Sequence, residues 1–322
     1  MKKIILLFGS LAMVSPCFCW GFFAHKKINF YSVFLLPPQM MVLYKPNIEF
    51  ISEHAVDPDK RRYAVAPEGA RHYIDIDNYG KYPFAELPHQ WKEAVAKFGE
   101  DSLNANGIVP WHVQTMLSRL TRAFKEKNFS SILKNSTELG HYIADAHVPL
   151  HASSNHNGQL TNQKGIHGFW ESRVPELLAD KEFDFFIGKA EYIKDPGAFI
   201  WDRVLESARA ADSVLKFEKE LSAQFPGETK YAFEKRNNGV IKQYSSAYSI
   251  AYNKKLNGMV ERRMRQSIFA VASFWYTAWV NAGQPDLTEL SKQTFSDNDL
   301  KEFNALNETW KTSKVMGREH EE

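Results

Sequence analysis

Cysteine is almost missing from this chain. The two present, Cys17 and Cys19, both lie near the start. Residues 1–19 read as a secretory signal peptide: Lys2 and Lys3 form a basic region, Ile4 to Val14 an apolar one, and Ser15 to Cys19 a cleavage region. Cleavage after Cys19 removes both thiols. The mature chain then has no disulfide and no thiolate metal ligand, so it must rely on its core or on bound metal. Net charge is also missing. With Lys2 and Lys3 set aside, 38 basic residues face 38 acidic ones, which excludes a general pull toward nucleic acid or anionic membrane. The apolar run 4–14 is too short to span a bilayer and no later run is longer, so no integral membrane segment is expected after cleavage. The expected location is secreted or periplasmic. Repeats, strand-rich regions and Gly-rich phosphate loops are absent too, and no obligate protein partner is evident. Aromatic residues are plentiful at 14%, which argues against extended disorder.

What is there is helical periodicity. The expected fold is all-α, with a single helical domain over 20–283 and a polar tail over 284–322 that is expected to fray. Ile28, Tyr31, Phe34 and Leu35 recur at helical spacing. Pro110 opens an amphipathic helix whose stripe is Val113, Met116, Leu117, Leu120 and Phe124. A second helix starts near Ser130, and Pro149 stops it. Residues 152–165 read as a polar loop, and another helix begins near Gly165. Ala198–Phe217 and Glu261–Val280 read as long helices, the latter apolar enough to be central. The charged run 57–62 reads as a solvated turn, 71–77 as extended or irregular, and Gly80–Gly107 as a surface excursion with one short helix near Gln90–Lys97.

The chemistry concentrates between His141 and Glu171. His141/Asp145 and His167/Glu171 are each spaced i,i+4, which on a helix brings the two side chains onto one face. His151 lies between the pairs. Imidazole and carboxylate so placed suit one zinc ion each. One such pair alone is usually a solvated ion pair; two pairs with a histidine between them point to a metal site. Upstream, His25, Asp57 and His72 are further ligand candidates, with Asp59 a rival to Asp57. Trp20, the new N-terminus, offers an α-amino group that is largely deprotonated only slightly above neutral pH.

These residues resemble the superfamily of zinc-dependent phospholipases C and single-strand nucleases. The pattern falls in order on Trp20, His25, Asp57, His72, His141, Asp145, His151, His167 and Glu171. The resemblance implies a helical fold holding three zinc ions. Asp57, His72, His141 and Asp145 would hold one, and His151, His167 and Glu171 the second. Trp20 and His25 would hold the third, with Asp145 bridging. It implies phosphodiester hydrolysis, with Asp57 accepting a proton from the attacking water. Of the other histidines, His54, His89, His112, His147, His156 and His320 match no ligand position, though His147 is close enough in sequence to support one.

The two branches of the superfamily differ in substrate. Toward the nucleases lean the five-residue step from Trp20 to His25, Lys60 and Arg61 at the phosphate-binding position, and Tyr73 and Asp75 where an aromatic and a carboxylate hold a base. Toward the lipases lean Glu171 as final ligand and a short loop before His167. The choline-binding positions fall on Phe23, Pro58 and Gly69, which offer neither carboxylate nor aromatic cage. The expected substrate is single-stranded nucleic acid. Phospholipid is the alternative, and a non-catalytic zinc- or phosphate-binding protein is the third reading.

Overall fold

The structure, a computed structural model, describes residues 21–236 and 239–316. The proposed signal peptide, Trp20 and His320 lie outside the described residues. The fold is mostly helical, as expected. In chain order it comprises α1 (Phe22–Val33), α2 (Pro38–Tyr44), α3 (Ile48–Glu53), α4 (Asp57–Arg61), α5 (Trp91–Phe98), α6 (Glu100–Asn106), α7 (Val109–Lys125) and α8 (Phe129–Ala146). There follow α9 (Ile166–Gly168), which runs through a π turn at Phe169–Arg173 into α10 (Val174–Glu182), then α11 (Pro196–Gln224) and α12 (Gly227–Lys230). A hairpin of β1 (Tyr231–Arg236) and β2 (Gly239–Tyr244) precedes α13 (Ser246–Lys255), α14 (Met259–Asn281) and α15 (Asp297–Thr312). Among the described residues, no helix is long and apolar enough to cross a membrane.

Local chemistry sets the helix ends. The Asn128 side chain accepts from the Ser131 amide at 2.8 Å and caps α8. Asp195 does the same for α11 through Ala198, at 2.9 Å. Val148, forced out of the helical region by the proline after it, is extended (φ −78°, ψ 120°) and ends α8 before His151.

The apolar stripe of α14 is fully buried, and this helix packs against α1, α7 and α8. Trp275 donates its indole N–H to the Ser136 carbonyl at 2.9 Å, so the ring's one polar atom is satisfied inside the core. Beside it, α1 crosses α8 at Gly140. A Cβ there would lie 2.1 Å from Asn29 Oδ1, and Asn29 is itself fixed by amide bonds to the Ile51 and Thr137 carbonyls at 3.3 and 3.1 Å. Glycine thus permits the approach that stacks the His25 ring on His141, with centroids 3.8 Å apart. Gly140→Ala is expected to destabilise the fold by about 1–3 kcal/mol through overpacking, read as a lower urea midpoint. An unchanged midpoint would refute this close-packed crossing.

Several sequence expectations change. The run 57–62 opens as helix α4, with Asp57, Asp59, Lys60 and Arg62 buried; Asp57 with Lys60 and Arg61 with Glu138 are paired inside the protein rather than solvated. The excursion 80–107 carries two helices. The tail carries a docked helix in its described part. The α15 helix opens with a capping box between Ser296 and Asp299 and packs on α4. Asp299 accepts from Lys134 Nζ at 2.7 Å, Trp310 lies 5.3 Å from the Phe22 ring, and the Met316 amide donates to the Arg62 carbonyl at 2.7 Å. The β1–β2 hairpin was not expected: Tyr231 to Arg236 shows no apolar/polar alternation, and the Asn238-Gly239 turn signal stood alone.

Candidate metal centre

Three groups of buried side chains bring ligand atoms within 4.8 Å of one another: His25, His141 and Asp145; Asp59, His72 and His141; and His151, His167 and Glu171. They come from five places in the chain: α1, α4, the segment after Arg71, α8 with the turn that follows it, and the α9–π turn. The two i,i+4 pairs form as the spacing predicts. His141 Nε2 lies 3.3 Å from Asp145 Oδ2, and His167 Nε2 lies 3.0 Å from Glu171 Oε2. The short turn Pro149–Ala152 brings His151 Nε2 to 3.1 Å from His167 Nε2.

Three of the imidazoles are aimed from behind. His141 Nδ1 donates to the Ala55 carbonyl at 2.8 Å, His151 Nδ1 to the His72 carbonyl at 2.6 Å, and His167 Nδ1 to the His156 carbonyl at 2.9 Å. With the proton held on Nδ1, the Nε2 lone pair faces the group. His72 is reversed: its Nδ1 faces His141 Nε2 at 3.0 Å, while Nε2 faces Glu68 Oε1 at 3.6 Å.

The polar balance of the interior calls for a cation. Both oxygens of Asp59, both nitrogens of His25 and Asp145 Oδ1 are buried without a hydrogen-bond partner among the described residues. A buried carboxylate left this way costs several kcal/mol. Two imidazole nitrogens 3.0 Å apart also face each other with no room for a proton on each. Burial, then the neighbouring His141, holds His25 below the usual histidine range. Burial acts the same way on His141, but Asp145 and Asp59 outweigh it and push its pKa up to about 9. Burial would raise Asp145, yet His141 and His151 hold it well below the carboxylate range. The residues therefore fit a metal ion, which would replace the proton that the carboxylates now draw onto His141.

Of the two acidic candidates on α4, Asp59 joins the group, 3.7 Å from both His72 Nδ1 and His141 Nε2. Asp57 points elsewhere. Its carboxylate pairs with His54 Nδ1 at 2.6 Å and Lys60 Nζ at 2.9 Å. Lys60 is thereby matched, and Arg61 is matched by Glu138 and by Glu68, the latter at 3.6 Å. Tyr73 and Asp75 are half-buried beside His72 and outside the three ligand groups. The Tyr73 hydroxyl donates to the Ala105 carbonyl at 3.3 Å and the Asp75 amide to the Asn106 carbonyl at 2.7 Å. His147 does not support a ligand directly; its Nδ1 donates to the Ile143 carbonyl at 2.7 Å within α8.

No protein-family model matches this chain, and no curated protein matches it.

Glu68 was missed. It is fully buried, faces His72, pairs with Arg71 at 2.6 Å and accepts from the Tyr142 hydroxyl. Burial opposes its charge, but His72 and Arg61 hold the carboxyl far below its usual range. The signal was present: Glu68 and His72 carry the same i,i+4 spacing as the other two pairs.

Proposed function

We propose that this chain is an exported zinc-dependent phosphodiester hydrolase acting on single-stranded nucleic acid. The observation that carries the metal part is that His141 belongs to two adjoining ligand groups, with the Asp145 carboxylate 3.0 Å from His72 as well. Ligand atoms about 2.0–2.1 Å from one tetrahedral zinc lie roughly 3.3 Å apart. The His151–His167–Glu171 triangle has edges of 3.1, 3.0 and 3.5 Å, and nitrogen and carboxylate donors without thiolate suit zinc. Zinc held there would lower the pKa of water and offset charge on a phosphoryl oxygen.

In this reading His72, His141, Asp59 and Asp145 hold one ion, His151, His167 and Glu171 a second, and His25 with the Trp20 amino and carbonyl groups a third. The proton-accepting role passes from Asp57 to Asp59, neither of whose oxygens has a hydrogen-bond partner among the described residues. Asp57 instead keeps Lys60 and His54 in place. Tyr73 and Asp75, beside His72, are assigned to the base. One observation favours the phospholipase C reading: Lys60 and Arg61 are both ion-paired, so neither is free for the phosphate.

The test is zinc-dependent hydrolysis of a single-stranded oligonucleotide and of phospholipid vesicles, side by side, with and without chelator. Chelator-sensitive nucleotide release without lipid cleavage supports the proposal, and lipid cleavage alone overturns it in favour of phospholipase C. Full zinc loading with neither activity would leave a non-catalytic binding protein. Asp59→Asn is expected to lower turnover at least about a hundredfold, beyond what an outer partner's loss usually costs, and Asp57→Asn far less. The reverse order would return the role to Asp57. Export has its own check. Mass spectrometry of the secreted protein should find Trp20 at the N-terminus, and a version with one residue added before Trp20 should bind one zinc ion fewer.

A further inference from the structure

The β1–β2 hairpin is rooted against the metal centre and turns an unpartnered face outward. At its base, Tyr244 stacks on Phe169, centroids 3.8 Å apart, and Phe169 lies between His167 and Glu171 in the chain. Arg173 locks the same end, donating to the Tyr244 carbonyl at 3.1 Å and pairing with Glu234 at 2.6 Å. The register pairs Phe233 with Lys242 and Lys235 with Val240, so by strand alternation these four share one face. Phe233 is 76% exposed and Val240 67%. Glu234 is on the opposite face, and among the described residues no carboxylate forms an ion pair with Lys235 or Lys242. The exposed face is thus a checkerboard of two apolar groups and two unmatched cations. Lys242 already lies over an aromatic ring, that of Tyr231, at 4.4 Å.

We infer that this face binds single-stranded nucleic acid, Phe233 stacking on a base while Lys235 and Lys242 hold flanking phosphates. The inference rests on the nuclease reading of the metal centre. Charge complementarity selects a polyanion. An anionic membrane fits less well, because the residues joining the strands, Asn237 and Asn238, are polar, whereas a hairpin that enters lipid leads with apolar residues. Aromatic stacking interleaved with backbone-tracking cations is how single strands are held without sequence preference.

The test uses the zinc-loaded protein, a fluorescent phosphorothioate oligonucleotide for binding, and a small chromogenic phosphodiester that cannot span the distance to the hairpin. Phe233→Ala is expected to weaken oligonucleotide binding about tenfold, and Phe233→Trp to restore it. The double variant Lys235→Gln/Lys242→Gln should flatten the salt dependence of log affinity by about 1.4, for two contacts on a single strand. Hydrolysis of the small diester should be unchanged in every variant. Wild-type affinity in these variants would overturn the inference while leaving the nuclease reading intact, since cleavage of the natural oligonucleotide is scored separately. Loss of binding to anionic vesicles alone would overturn it in favour of lipid. A wild-type protein that cleaves the small diester but neither binds nor cleaves oligonucleotide would overturn both readings.

Discussion

Asp145→Asn is expected to reduce turnover by about a thousandfold or more, well past the roughly 10–100-fold typical of losing an outer partner. The reason is reach. Oδ2 lies 3.0 Å from His72 Nδ1 and 3.3 Å from His141 Nε2. Oδ1 lies 3.4 Å from His25 Nε2 and 3.7 Å from His151 Nδ1. One carboxylate therefore lies within 4 Å of histidines from all three ligand groups, reaching His151 on its Nδ1 side. An amide of the same shape keeps the packing but removes the negative charge and turns one acceptor into a donor, so it can neither bridge two ions nor balance them. Zinc content should fall with activity, while far-UV circular dichroism stays close to wild type. A variant that keeps both its zinc and its turnover would remove Asp145 from the centre.

Chelation is expected to lower the melting temperature by about 10 °C or more at neutral pH. Each ion held at a thousandfold over its dissociation constant adds about 4 kcal/mol to the folded state. In a domain of 150–250 residues, 1 kcal/mol moves the midpoint by about 2–4 °C, and somewhat less in a larger one. The interior offers little to replace that energy. Without metal, Asp59 is buried with both oxygens unsatisfied, and the chain after Cys19 has no cysteine for a disulfide. Differential scanning fluorimetry with chelator, then with zinc restored, measures the effect. A melting temperature indifferent to both would mean that the ligand groups are structural ion pairs.

The candidate metal centre was legible in part because helical spacing is a local property. His141/Asp145 and His167/Glu171 needed only the geometry of one turn, and the structure draws them together. The choice between Asp57 and Asp59 was not legible, because it depends on which carboxylate faces His72 and His141, residues brought in from other elements far along the chain. The same cause hid the burial of 57–62. A run of charges looks solvated until the partners from other elements are known. The docking of α15 was passed over although Leu300, Phe303, Leu306 and Trp310 recur at helical spacing: the residues around them are polar, and the anchoring contacts, Phe303 against Phe50 and His54 and Trp310 against Phe22, are made to distant elements. Glu68 is different, since with His72 it carried the same i,i+4 spacing that found the other two pairs.

His141 belongs to two of the three groups, yet a single imidazole nitrogen can bond only one ion at a time. Whichever ion takes Nε2 leaves its neighbour dependent on the remaining donors and on the shared carboxylate. If the three groups hold ions as proposed, uptake would be a sequence of unequal steps, each arrival changing the affinity of the next. In a zinc-poor setting such a chain would not lose activity in proportion to the metal withheld. Partly filled molecules would accumulate with an early ion in place and the last one missing, and the final, weakest step would set the zinc concentration at which the centre becomes competent.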